Sequence, residues 1–440
     1  MSSQEIVVYS SVGEAESREI LDLMRLFRND CLAFLPVDPF LPPAPTRIFL
    51  LSSESAYEDV FSNSGSSTGT SGLFFPAIDA NYIAVDLNAG TEGLATVFHE
   101  YFHFIAEHTM PNLPLWANEG LAEFFSTYKL DDGFGTAGHP IREHMIRLKF
   151  EEPMPFVDLF GVTGRSDEYH GGTQRQLFYS QSWALVHSQL TGTPAERQSF
   201  LDYLAALADG MSGQAAMVDH LDLDESRLLP DLPNRKGHLE MPRGGPTTGI
   251  TDQSYWSTAE APLNEVMSGL GMFLARLPRT VPQAPRHFFE EAMRLDPGDY
   301  QPYLGMGIVE SNQNHGEARI QFARALELAP RQPLVLTAYG EFLMEQYEED
   351  LERDPHTSDE GLIEARSMFR DCLEVDPEDP RALAGYAMGH QYLDVIPDDA
   401  MDALELANAR YPTRFDLLVA RCVFTARRGN HEEAWSLYQR

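Results

Sequence analysis

The sequence is poor in cysteine and lysine and lacks any long apolar run. Its three cysteines, Cys31, Cys372 and Cys422, lie far apart and form no Cys-x-x-Cys pair. That argues against a disulfide framework and against a thiolate metal site, leaving each as a small core residue. Lysine is confined to Lys129, Lys149 and Lys236, and acidic side chains outnumber basic ones 67 to 32, for a formal charge of -35. So anionic a chain has no clustered cations with which to grip phosphate, which argues against nucleic acid and against anionic membrane surfaces as partners. No apolar stretch approaches the ~20 residues that span a bilayer. The start, "MSSQEIVVYSS", has neither the basic residues nor the apolar run of an export signal. As written, the chain is expected to be soluble and cytoplasmic; a signal lost upstream of Met1 would make it periplasmic or extracellular.

What is present is ample core material, 43% hydrophobic and 11% aromatic. A chain of 440 residues exceeds one compact core, so two or three domains are expected. The first 90 residues alternate strand and helix signals: "EIVVYSS", then the helical spacing of "EAESREILDLMRLFRNDCLAFL", then "TRIFLLSS" and "LFFPAIDANYIAVDL" around the low-complexity loop "SNSGSSTGTSG". From Thr91 the pattern turns helical. One helix is expected over about Glu92 to His108 and another over about Trp116 to Tyr128, separated by "TMPNLP". A Pro/Gly-rich stretch within 231–260 reads as a linker.

Beyond the linker the sequence repeats. "EAMRLDP", "RALELAP", "DCLEVDP" and "LANARYP" end at Pro297, Pro330, Pro377 and Pro412, with spacings of 33, 47 and 35. Five positions before each proline stands a small residue (Ala292, Ala325, Cys372, Ala407), and eight before a bulky one (Phe289, Phe322, Phe369, Leu404). Twelve before stand Ala318, Ala365 and Ala400, with Pro285 the exception in the first unit. Small residues at helical spacing let neighbouring helices approach, and proline closes the second helix of each pair. The pattern resembles tetratricopeptide repeats over 261–440, with the acidic insert "EEDLERDPHTSDEG" explaining the long interval. The last unit, "RGNHEEAWSLYQR", stops inside its second helix, so the array is expected to be truncated or capped by a partner.

The chemistry is concentrated in "VFHEYFHFIAEHTMPNLPLWANEGLAEFF", from Val97 to Phe125. Residues four apart share a helix face, so His99 and His103 can present two imidazoles to one divalent ion. Glu100, beside the first, is placed to take a proton from an attacking water. Glu119, sixteen residues after His103 on a second helix, can complete a three-ligand set, and Glu123, one turn later, can orient a ligand histidine. His139 and His144 have no carboxylate at ligand spacing and are expected at the surface. His108, off the ligand face, is expected to be a helix-end cation, and Trp116 to pack the core.

These residues resemble the gluzincin zinc peptidases, in which HExxH is followed by a helix bearing "NE" and a ligand glutamate. "NEGLAEFF" is close to the wording of the aminopeptidase branch, although the gap between His103 and Glu119 is shorter. The spacing is more like that of compact peptidase MA-like proteins that carry a repeat domain. "FYSQSWALVHSQL" is similar to the helix whose tyrosine stabilises the oxyanion in that branch, which puts Tyr179 in that role, with Tyr169 and His170 as alternative donors. The amine-binding "GxMEN" strand has no acidic equivalent in "GLFFPAIDAN", although that strand could still pair with an extended peptide.

The resemblance implies an α+β chain: a zincin-like metallopeptidase domain over 1–230 (an α/β part to residue 90 and a helical part over 91–230), followed by an all-α tetratricopeptide-repeat solenoid. It implies one zinc per chain on His99, His103 and Glu119, with Glu100 as base and Tyr179 on the oxyanion. A peptide substrate and a protein partner for the repeats are implied with it. The rival reading is a peptidase-fold scaffold that no longer cuts and acts through its repeats; a third has the same centre hydrolysing a non-peptide amide.

Overall fold

The computed structural model describes residues 6–37, 45–52, 60–61, 72–77, 79–110, 112–166, 172–242, 259–277, 280–393, 395–410 and 415–438. The chain forms two compact units. Met1–Tyr57, Gly69–Pro76 and Ala80–Ala259 make the first; Glu58–Thr68, Ala77–Asp79 and Glu260–Arg440 make the second. No described helix is long and apolar enough to cross a membrane.

The first unit opens with β1 (Ile6–Ser10), α1 (Glu14–Phe34), β2 (Thr46–Leu51), β3 (Gly72–Pro76) and β4 (Asn81–Asp86). They build a four-stranded sheet in the order β1-β2-β4-β3. β1, β2 and β4 run parallel, with Ile6 opposite Thr46 and Ile48 opposite Ile83, and β3 pairs antiparallel to β4 at the edge. The crossover from β1 to β2 is α1, as parallel pairing requires. Every residue of β4 is buried.

Against this sheet lies α2 (Thr91–Thr109), followed by α3 (Leu115–Ser126). α2 sits close to β3. A methyl at Gly72 would lie 2.2 Å from the Gly93 carbonyl oxygen, and Phe74 stacks on Tyr101 at 5.2 Å. The expected end of α3 at Tyr128 comes two residues earlier. The Ser126 and Thr127 hydroxyls donate back to the Glu123 and Phe124 carbonyls and close the helix.

There follow β5 (Lys129–Asp131), β6 (Phe134–Ala137), α4 (Arg142–Phe150), α5 (Phe156–Gly161), α6 (Gly172–Thr191), α7 (Pro194–Ala208), α8 (Gly213–His220), α9 (Glu225–Leu228) and β7 (Leu239–Glu240). The β5–β6 hairpin turns at Asp132 and Gly133, both at positive φ (48° and 80°), the geometry that an Asp-Gly turn supplies. β7 pairs with β6, and Leu232, Leu239 and Met241 are buried. Residues 231–242 therefore belong to the first unit and are not the linker that their prolines and glycines indicated. Those residues punctuate a folded edge, and the rest of that stretch, 243–258, lies outside the described residues.

The second unit is an all-α array: α10 (Leu263–Arg276), α11 (Gln283–Leu295), α12 (Gln301–Ser311), α13 (His315–Leu328), α14 (Pro333–Arg353), α15 (Glu360–Val375), α16 (Pro380–Gly389), α17 (Asp398–Arg410), α18 (Phe415–Arg427) and α19 (His431–Tyr438). The repeated small residues Ala292, Ala318, Ala325, Ala365, Cys372, Ala400 and Ala407 are fully buried, as are Phe289, Phe369 and Leu404. Each phenylalanine enters a slot made by glycine on a neighbouring helix. A methyl at Gly271 or Gly305 would come within 2.6 or 2.1 Å of the Phe289 ring, and one at Gly340 or Gly385 within 2.9 or 2.3 Å of Phe369. The acidic insert lengthens a helix as well as the connection that follows it. α14 runs 21 residues against 11 in α12, and its last turn carries Arg353 pairing with Glu349 and Asp350.

Candidate metal centre

α2 and α3 pack side by side because their facing surfaces are apolar: Phe98, Phe102, Ile105, Leu121, Ala122 and Phe125 are buried in the common core. The 3.6-residue period then sets His99 and His103 together on α2, and Glu119 on α3 comes between them. The His99 and His103 Nε2 atoms are 3.1 Å apart, and each lies 3.4 Å from Glu119 Oε2. Among the described residues these three alone form a cluster of metal-ligating groups. Ligands about 2.0–2.1 Å from a tetrahedral zinc are separated by roughly 3.3–3.4 Å, so the triangle has the dimensions of one tetrahedral face.

The tautomers agree. Asn118 Oδ1 lies 3.0 Å from His103 Nδ1. A carbonyl oxygen only accepts, so Nδ1–H donates when the amide oxygen faces the ring, and the Nε2 lone pair is directed at the shared point. His99 presents Nδ1 to Glu123 Oε1 at 3.7 Å, longer than a direct hydrogen bond, and its Nε2 to the same point as His103. The electrostatics call for a cation there. Burial opposes protonation of His99, but the bond to Glu119 and the charges of Glu123, Glu119 and Glu100 outweigh it and raise its pKa to about 9. Burial likewise opposes the charge on Glu119, yet bonds from His103 and His99 hold its carboxyl well below the usual range. Charges that favour a proton on His99 also favour a divalent cation between the same atoms, and the donor set of two imidazoles and a carboxylate fits zinc.

The other expected residues fall as follows. Glu100 is half-buried beside His99 on α2 and stands outside the three-residue cluster. Tyr179, half-buried on α6, lays its ring nearly parallel to that of His99, with centroids 6.2 Å apart and an 8° angle. Arg175 donates to its phenol oxygen at 3.3 Å. Tyr169 and His170 lie outside the described residues. His108 stands in the last turn of α2, its Nδ1 donating to the Phe104 carbonyl, and Trp116 is buried.

Two histidines expected at the surface are not there. His139 is half-buried, stacked on His238 at 4.4 Å and bonded to Thr136 Oγ1 at 2.9 Å. Burial first, then Lys129 and His238, lowers its pKa to about 4. His144 sits on α4 with its Nε2 3.3 Å from Glu123 Oε2, and so belongs to the surroundings of the centre. Asn118 and Arg175 also escaped sequence reasoning. Asn118 was legible in the "NE" pair, whereas Arg175 carried no signal.

α6 reaches the site through a close backbone approach. A methyl at Gly120, the residue after Glu119, would lie 2.5 Å from the Ser182 carbonyl oxygen, so glycine is what allows α6 to lie against α3.

No family model matches the chain, and no curated protein matches it. Among solved structures, the chain is similar to MamA (residue 41 to the end) from Desulfovibrio magneticus RS-1, at 16% identity over 41% of this chain and 94% of that one, with a TM-score of 0.32. It is similar to PilF of Pseudomonas aeruginosa at 16% identity, over 40% of this chain and 74% of that one, with a TM-score of 0.34. TTC0263, a thermophilic TPR protein of Thermus thermophilus, is 21% identical over 40% of this chain and 88% of that one, with a TM-score of 0.32.

Proposed function

We propose that the first unit is a zinc-dependent peptidase and that the helical array of the second recruits a protein partner or substrate. The observation that carries the first half is the triangle of His99, His103 and Glu119, spaced as one face of a zinc tetrahedron. His99, His103 and Glu119 would hold the zinc, which when bound would supply a Lewis acid able to make water a nucleophile near neutral pH. Glu100 takes the proton of the attacking water and passes it to the leaving amine. Tyr179, beside His99 and polarised by the Arg175 N–H, donates a phenol hydrogen bond to the developing oxyanion. Asn118 and Glu123 hold the ligand rings in the orientation the ion needs. β3 is the edge strand of this sheet among the described residues, the position at which an extended peptide could pair. The likeness of "HEYFH" and "NEGLAE" to the gluzincin peptidases supports the same reading. For the array, support comes from the repeat spacing and from the phenylalanine–glycine slots, which match tetratricopeptide-type packing.

The regularity of the second unit also favours the rival reading, a scaffold that binds through its repeats and does not cut. Peptide-library cleavage with and without a chelator separates the two. The peptidase reading expects chelator-sensitive cleavage by the wild type and none by Glu100→Gln. Identical, cleavage-free profiles for both proteins, with zinc bound, would leave the scaffold.

A further inference from the structure

Glu123 faces two histidines on two different helices. Its Oε1 faces His99 Nδ1 at 3.7 Å, and its Oε2 faces His144 Nε2 at 3.3 Å. His144 is itself held from behind. Its Nδ1 lies 2.9 Å from Ser180 Oγ, whose hydroxyl is also 2.8 Å from the Gln176 carbonyl within α6. A carboxylate only accepts, so the contact with Glu123 calls for the His144 tautomer that carries its hydrogen on Nε2, with Nδ1 accepting from the Ser180 hydroxyl. The ring is largely enclosed, with its side chain 15% exposed, and α4 is fastened to α6 by the cluster of Leu148, Trp183, Ala184 and Leu232. Ser180 adjoins Tyr179 in the chain, so one chain of polar contacts runs from the helix of the phenol to a metal-ligating ring.

We propose that His144 is a positioning residue for the metal centre: it holds one oxygen of Glu123, which keeps the other turned to His99 and so fixes the orientation of that ligand ring. The assignment rests on the zinc reading above. A carboxylate anchored at only one oxygen can rotate away from its histidine, and a ligand ring that loses its outer partner binds metal less well. The competing explanation is simple packing, because His144 also lies against Trp183, with ring centroids 5.4 Å apart.

Zinc affinity, measured by competition with a chromogenic chelator, tests the assignment, together with the visible absorption bands of the cobalt-substituted protein. His144→Leu keeps the bulk against Trp183 but removes the N–H; it should bind zinc about 10-fold more weakly and shift the cobalt bands. His144→Gln restores an N–H donor and should stay within about 2-fold of wild type. Because His144 acts through Glu123, adding His144→Leu to Glu123→Ala should weaken binding no further than Glu123→Ala alone. Wild-type affinity in His144→Leu, equal losses in the Leu and Gln variants, or losses that multiply in the double variant would each overturn the assignment. A wild-type chain that takes up no zinc would overturn the metal reading and this inference with it.

Discussion

In the first unit, Gly120 lets two helices meet so closely that a single methyl would strike the Ser182 carbonyl; in the second, Gly305 and Gly385 admit the rings of Phe289 and Phe369 at similar range. The device is the same, but what it encloses differs. Beside Gly120 the chain buries Glu119 against two histidines, a polar arrangement that costs stability unless every group finds a partner or a cation. In the array the slots enclose phenylalanine and alanine, which stabilise by burial alone. Close helix approach thus encloses a polar cluster in one unit and apolar rings in the other.

Substitutions separate the roles of the two units. The largest effect should come from Glu100→Gln, with turnover on a cleaved peptide falling roughly 100- to 10,000-fold while bound zinc is unchanged. Phe369→Ala should leave zinc content alone and cost the second unit about 3–5 kcal/mol in denaturant unfolding, because the slot beside Gly340 and Gly385 cannot collapse around the lost ring. Gly120→Ala should cost the first unit about 1–3 kcal/mol and weaken zinc binding, since α3 and α6 must separate. If Gly120→Ala were neutral for both, the close approach would have no bearing on the site.

The smallest effect concerns pH. His187 is fully buried, and burial, then Arg235, lowers its pKa from 6.5 to about 4. The unfolded ring takes up a proton below 6.5, whereas the folded ring stays neutral down to about 4. Stability of the first unit should therefore be unaffected by this group above pH 6.5 and fall between 6.5 and 4, by about 1.4 kcal/mol per pH unit. His139 acts in the same window. His187→Gln should flatten the slope; an unchanged slope would assign the pH dependence to other groups.

Much of this was legible in the sequence because it is local. The four-residue spacing of His99 and His103 on one helix, and the proline-to-alanine spacings of the array, are periodicities that a helix converts directly into faces. The array's glycine slots were not, since they join helices through pairings that no fixed interval encodes. His144 was missed for the same reason. It comes from α4, twenty-one positions after Glu123, and meets it only because Trp183 and Leu148 clamp α4 onto α6. The β5–β6 hairpin carried a readable signal in Asp132-Gly133, but its strands are three and four residues long and show no alternation. The supposed linker went astray because proline and glycine mark edges of folded units as well as the spaces between them.

Zinc binding by His99, His103 and Glu119 on α2 and α3 is tested most directly by metal analysis of the purified full chain after equilibration with zinc and removal of the excess. About one zinc per wild-type chain, lost in His103→Ala while helix content is kept, is the result expected. A correctly folded wild-type chain that retains no zinc would contradict it.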